Sequence, residues 1–138
     1  MKILVSFTVI IIAFITNVIT AQNRTISATV LNVSSDTGTV QFGLYNKTNF
    51  RLKPLKSEIG KIENGKTTIT FKEVVAGEYA IVCYHDKNNN DTIDFQPNGM
   101  PLEAFGAANN ILNLYGPPIF EDAKFRVSDK DVSLKIKF

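Results

Sequence analysis

Tyr79-Ala-Ile-Val-Cys-Tyr-His85 carries apolar side chains on both of its alternating sets. A strand with one buried face alternates apolar with polar residues, so this double pattern predicts a central strand covered on each side. Ala76-Gly77-Glu78 supplies the turn into it, and the run ends abruptly in Asp86-Lys-Asn-Asn-Asn90. Outward from there, one-sided alternation recurs. Ile26, Ala28 and Val30 point one way, and Val40, Phe42 and Leu44 alternate with Gln41, Gly43 and Tyr45. Ile69 and Phe71 stand against Thr68, Thr70 and Lys72. Phe125 and Val127 form a short segment, and Val132, Leu134, Ile136 and Phe138 alternate with Ser133, Lys135 and Lys137. Period 2 predicts strands, and helical spacing is hard to find after the first twenty or so residues.

The turn chemistry agrees. Ser34-Ser-Asp-Thr-Gly38 is expected to close a hairpin between the first two strands, Glu63-Asn64-Gly65-Lys66 to open a further strand, and Ser128-Asp-Lys-Asp131 to open the last. Phe50 and Leu52 alternate with Arg51 and Lys53 until Pro54, which has no ladder donor, so an edge strand is expected there. The region from Lys53 to Lys61 reads either as a short helix or as a loop. Seven or so short strands without helical crossovers predict an all-β fold, a single antiparallel β-sandwich with Greek-key connections; a small closed barrel is the alternative.

Met1-Lys2, the apolar run from Ile3 to Ile15 and the closing Thr16-Asn17-Val-Ile-Thr-Ala21-Gln22 have the layout of a secretory signal peptide. Asn17 and the threonines interrupt the run short of the ~20 apolar residues that cross a bilayer. Cleavage is expected between Ala21 and Gln22, leaving one domain, residues 22–138, in the periplasm or secreted, with no membrane span in the mature chain. Cys83 is the only cysteine. No internal disulfide can form, no cysteine at the cleavage point carries a lipid, and the apolar setting of Cys83 marks it as core. The net charge of the full chain is +2 and falls further when Lys2 leaves, too near neutral for a phosphate-neutralising surface, which argues against nucleic acid.

The stretch from Asp86 to Pro118 is rich in Asn, Gly and Pro and carries apolar residues singly, as expected of a surface excursion. At its start Asp86, Asn88, Asn90 and Asp94 follow the D-x-N-x-N-x-x-x-D spacing with which a short loop wraps a hard cation, the Thr92 carbonyl falling between them. Calcium takes six to eight oxygens. Pro97 occupies the place where a helix-loop-helix calcium loop has its bidentate glutamate, and Glu103 is the candidate to replace it. The competing reading is a solvated loop whose Asn and Asp side chains bond their own backbone. His85, the sole histidine, is either a structural residue at the strand end or half of a diad with Asp86 or Glu103; no G-x-S-x-G turn accompanies it. Phe95, Met100, Phe105, Leu112, Leu114 and Tyr115 read either as a satellite core beneath the excursion or as a groove rimmed by Glu103, Asn109 and Asn110, suited to a peptide or glycan. His85, Phe105, Asn109 and Asn110 are the candidate ligand-binding residues.

Gly77-Glu-Tyr79-Ala80, His85-Asp86-Lys-Asn88-Asn-Asn90, Asp94, Gly99-x-Pro101-x-Glu103-x-Phe105-Gly106, Asn109-Asn110 and Gly116-Pro117-Pro118-x-Phe120-Glu121-Asp122-Ala123 form an ordered series. In it the chain resembles the bacterial exported family catalogued as domain of unknown function 2141, from about Thr25 to Phe138. The resemblance implies an exported β-sandwich in the style of transthyretin-like and Ig-like modules, with no assigned reaction. Asn88-Asn89-Asn90-Asp91 stands where that family usually has Asn-Gly-Asn-Gly, and Ala108 where a serine commonly precedes the Asn-Asn pair. Three functions follow from these readings: a non-catalytic binding or accessory module of the cell envelope with an envelope protein, peptide or glycan as partner, a small hydrolase using His85 with Asp86 or Glu103, or a purely structural envelope protein.

Overall fold

Among the described residues, eight strands stack in two layers. The computed structural model describes residues 22–138; the expected signal peptide, residues 1–21, lies outside the described residues. One sheet is formed by β4 (Thr67–Val74), β1 (Arg24–Val30) and β8 (Val132–Ile136), in that order. The other runs β3 (Lys56–Lys61), β2 (Thr39–Tyr45), β5 (Gly77–Asp86), with the far edge of β5 shared by β6 (Phe105–Ala107) and β7 (Lys124–Val127). Between the sheets lie the residues whose alternation marked them as inward. Ile26, Ala28, Val30, Val40, Phe42, Leu44, Phe71, Ile81, Cys83 and Ile136 are all buried, each of the larger ones contributing about 1.5–3 kcal/mol relative to exposure.

β5 is covered on both faces, as its composition demands. The set Ile81, Cys83 and His85 faces the inter-sheet core, while Ala80 and Val82 face a second cluster with Ala107, Phe120 and Ala123. That outer cluster is closed by the single turn of helix α1 (Phe120–Ala123) and by Phe50, whose ring lies edge-on to both Tyr45 and Phe120.

Two local expectations are corrected. Ser34–Gly38 does not close a hairpin: β1 and β2 belong to different sheets, and the segment crosses between them. The crossing is tied to the Glu63–Lys66 turn, where Asp36 accepts the main-chain N–H of Asn64 and Gly65 at 2.9 and 2.8 Å and Val33 N–H donates to Gly65 O. Phe50 and Leu52 form no strand. Asn46 and Asn49 each accept the other's main-chain N–H, which bends the chain into a turn, and the edge strand is β3, inside the region read as helix or loop. The ends of the domain add a feature that alternation does not report. β1 and β8 pair in parallel, the one parallel pair among otherwise antiparallel ladders of the described residues. Asn32 locks this pair, its side-chain amide donating to Phe138 O and accepting Phe138 N–H, both at 3.0 Å.

Candidate functional site

The carboxylate loop grows directly from the end of the central strand. Thr39 of β2 pairs with Asp86 of β5, and Gly38 just before it has φ +80°. A Cβ there would run into the Asp86 carbonyl oxygen and come within 2.7 Å of Lys87 Cα, so only glycine lets the two strand ends close up. Asp86 is 0 % exposed. Its Oδ1 accepts the N–H of Asn90 at 3.1 Å, and its Oδ2 accepts the N–H of Asp91 at 2.9 Å and Gln41 Nε2 at 3.2 Å. The loop thus folds around one buried carboxylate, as an oxygen-bearing side chain at a strand end does when it takes over the donors of the turn that follows.

The remaining oxygen-bearing side chains converge on Asp94. Asn88 Nδ2 donates to Asp94 Oδ2 at 2.9 Å, and Asn90 Nδ2 lies 3.0 Å from both Asp94 oxygens. Asn88 Oδ1 and Asn90 Oδ1 accept the N–H of Asn90 and Thr92. Glu103 returns from the excursion as expected, but its two oxygens are taken by main-chain donors, Lys87 N–H on Oε1 and Asp94 N–H on Oε2, each at 3.2 Å. Glu103 therefore staples the two ends of the loop together. Among the described residues no three His, Cys, Asp or Glu side chains are grouped so as to hold a metal ion. The six residues expected to ligate calcium are brought into one loop, and four of them, Asp86, Asn88, Asn90 and Glu103, bond main-chain amides within it.

The candidate ligand-binding residues do not share a surface. His85 is 3 % exposed; its ring Nε2–H donates to Thr37 O at 2.7 Å, and its main-chain N–H donates to Ala104 O. The ring is buried at the end of β5 and bonded to the chain rather than exposed to solvent. Asn109 Nδ2 donates to the carbonyls of Asp122 and Lys124, while Asn110 donates to Lys135 O and accepts Lys137 N–H at 2.8 Å. Both asparagines have left-handed backbones, φ 69° and 57°, and they act as struts that hold the excursion against β7 and β8. Phe105, half-buried on β6, lines an open groove beside the excursion, and the exposed Asn109 and Asn110 do not line it. Tyr84, its partner across the ladder, has its phenol pushed up to about 12 by burial and by the negative charges of Asp86, Glu103 and Asp91. Gln41 and Thr37, both central to the geometry, carry no sequence signal that separates them from any other polar strand or turn residue.

The family comparison matches residues 28–135, from within β1 to within β8, and so covers the sandwich and its whole excursion. The chain belongs to DUF2141, described as an uncharacterized protein conserved in bacteria. No curated protein and no solved structure matches it. Within this DUF2141 domain, Asn89 and Asp91, which stand where the family resemblance has glycine, adopt φ 54° and 62°. The left-handed turns are kept although glycine is not, at about 1 kcal/mol or more of backbone strain apiece, which Asn and Asp tolerate better than other side chains.

Proposed function

We propose that the chain is an exported, non-catalytic binding or accessory module of the bacterial cell envelope, and that its 86–94 loop takes up calcium. Export rests on the charged start, apolar run and small-residue close of residues 1–21. The non-catalytic reading is supported by the fate of the two side chains best suited to acid–base or nucleophilic work. His85 and Cys83 both lie in the inter-sheet core, where neither meets a substrate.

The observation that carries the calcium reading is the convergence of Asn88 and Asn90 on the Asp94 carboxylate. A half-turn of each terminal amide exchanges nitrogen for oxygen in nearly the same place, so the same side chains turn from donors to Asp94 into oxygen ligands beside it, at the cost of the Oδ1 bonds to the N–H of Asn90 and Thr92, which the ion must outweigh. Asp86 Oδ1 and both Glu103 oxygens accept one N–H each and keep a free lone pair. Asp86, Asn88, Asn90, Asp94, Glu103 and the Thr92 carbonyl would together hold the ion, which supplies a bridge between strand end and excursion.

Thermal unfolding of the mature chain in excess calcium and in chelator tests this. A cation that binds only the folded loop stabilises it by RT ln(1 + [L]/Kd), about 2.7 kcal/mol at a hundredfold excess over Kd. Asp94→Asn is expected to remove that response. Superimposed curves in calcium and chelator would leave a hydrogen-bonded loop and no metal site.

A further inference from the structure

The apolar side chains of the excursion do not form a satellite core. Leu114 is 83 % and Tyr115 98 % exposed, and Phe95, Met100 and Leu112 are more than half exposed. Phe95, Met100, Leu114 and Tyr115 border an open groove of about 450 Å³, within the size range of small-molecule sites. One wall is a miniature hairpin, closed by Gln96 N–H to Met100 O at 2.7 Å and Leu102 N–H to Asp94 O at 2.8 Å, which presents Phe95 and Met100. The opposite wall is the Asn113–Pro117 turn, closed by Asn113 Nδ2 to Pro117 O, which presents Leu114 and Tyr115. Phe105 also lines it, and Arg51 is its one charged residue.

Arg51 sits there by construction. Its backbone is held at φ 62°, left-handed and unfavourable for a long side chain. The turn that holds it is fixed by the Asn46–Asn49 exchange, by Asn49 Nδ2 to Lys53 O at 3.0 Å and by the wedging of Phe50 between Tyr45 and Phe120. Among the described residues the guanidinium makes no ion pair, and no acidic side chain lines the groove. An unpaired fork of donors beside an apolar trough is complementary to one negative head on an apolar tail.

We propose that this groove binds an amphiphilic carboxylate, a fatty-acid-like molecule whose head pairs with Arg51 and whose chain lies between Phe95, Met100, Leu114 and Tyr115. A peptide fits less well. It brings a donor and an acceptor with every residue, whereas the Asn113 amide is already committed to Pro117 O and to the Tyr115 N–H, and Asn98 Oδ1 to the Met100 N–H. None of the six loop residues lines the groove, although Asp94 O closes the base of its hairpin wall, so the proposal does not require calcium in the loop.

Calorimetric titration of the mature chain with sub-micellar dodecanoate, in chelator so that the carboxylate loop plays no part, tests the proposal. Dodecanoate is expected to bind at a single site, dodecanol to bind at least tenfold more weakly, and Arg51→Gln to lose about tenfold for the acid but little for the alcohol. Leu114→Asp, at a side chain already in solvent, should abolish binding and leave the melting temperature unchanged. Absence of dodecanoate binding, or equal affinity for acid and alcohol, or for wild type and Arg51→Gln, overturns the proposal. Binding to anionic phospholipid vesicles without binding of monomeric dodecanoate also overturns it and assigns the surface to a membrane instead. A null calcium result with dodecanoate bound leaves the groove standing, and the reverse outcome leaves the loop standing.

Discussion

Asp86 and Asp91 are held together in spite of their like charge: the main-chain N–H of Asp91 donates to Asp86 Oδ2 across 2.9 Å, and Gln41 Nε2 donates to both carboxylates, at 3.2 and 3.1 Å. Gln41 comes from β2 and Asp86 from β5, so this junction binds the loop to two neighbouring strands at once. The carboxylate is thereby a part of the fold before any ligand is considered.

Asp86→Ala should accordingly destabilise the domain with or without calcium. It strands the Asp91 N–H, leaves the Asn90 N–H with Asn88 Oδ1 and the Gln41 amide with Asp91 Oδ1, and opens a buried void; an unpaired buried donor costs about 1–3 kcal/mol. A loss of roughly 2–4 kcal/mol is expected by urea denaturation. Asp86→Asn, which keeps one acceptor oxygen and the shape, should lose less. Equal stability of Asp86→Ala and wild type would show that the loop is not organised by this side chain.

Asn110 is predicted to be structural. Its amide donates to Lys135 O and accepts the N–H of Lys137, and its backbone is left-handed at φ 57°. Asn110→Ala removes both bonds and adds a conformational penalty of about 1 kcal/mol, whereas Asn110→Gly removes the bonds and relaxes the backbone. Both variants should melt lower than wild type, alanine more than glycine. If alanine and glycine are equivalent, strain at this position contributes nothing.

Burial was legible in the sequence wherever it follows from a local period. Ile26, Ala28 and Val30, or Val40, Phe42 and Leu44, are inward because strand side chains alternate, whatever their neighbours are. Pairing is not local. Nothing near Ser34–Gly38 says that β1 turns away from β2 to lie parallel to β8, because that choice is made by Asn32 and Asp36 reaching segments remote along the chain. Phe50 and Leu52 mimicked a strand because two alternating positions are too few to tell extended chain from a turn, and the Asn46–Asn49 exchange decided it. The D-x-N-x-N-x-x-x-D spacing located the loop and its glutamate. It carries no information on how the main-chain donors compete for those oxygens, which depends on the left-handed turns at Asn89 and Asp91. Singly spaced apolar residues such as Leu114 and Tyr115 have no period at all, and their exposure could be read only from the folded chain.

The pH dependence of stability should carry a mark of Tyr84. Burial, then the charges of Asp86, Glu103 and Asp91, raise its phenol from 10.0 to about 12. The folded state therefore favours the protonated form. That contribution is complete below pH 10 and is lost as the pH climbs from 10 toward 12, where the unfolded chain ionises first. Tyr84 is partly exposed, so the effect is screened and modest. Tyr84→Phe should show a shallower fall in melting temperature across that window than wild type, and absorbance titration should lose one phenol that ionises well above 10. A wild type and variant that fall in parallel would mean that Tyr84 ionises in the folded chain as it does in water.

Cys83 offers a probe of the core itself. Its side chain is fully buried, with Sγ 3.7 Å from Gly106 O, and burial drives the thiol far above its ordinary range. The thiolate is the reactive species, so neither access nor ionisation favours modification in the native state. Treatment of native residues 22–138 with a neutral alkylating reagent near pH 8 is expected to leave Cys83 free, whereas the same reagent in denaturant should modify it fully. In intermediate urea the labelling rate should rise with the population of opened molecules, because β5 lies between β2 and the β6–β7 edge and cannot release its centre without losing both ladders. Asp86→Ala, which loosens the end of the same strand, should accelerate that labelling in native buffer. Prompt alkylation of the wild-type chain without denaturant would contradict the packing of β5 at the centre of the sandwich.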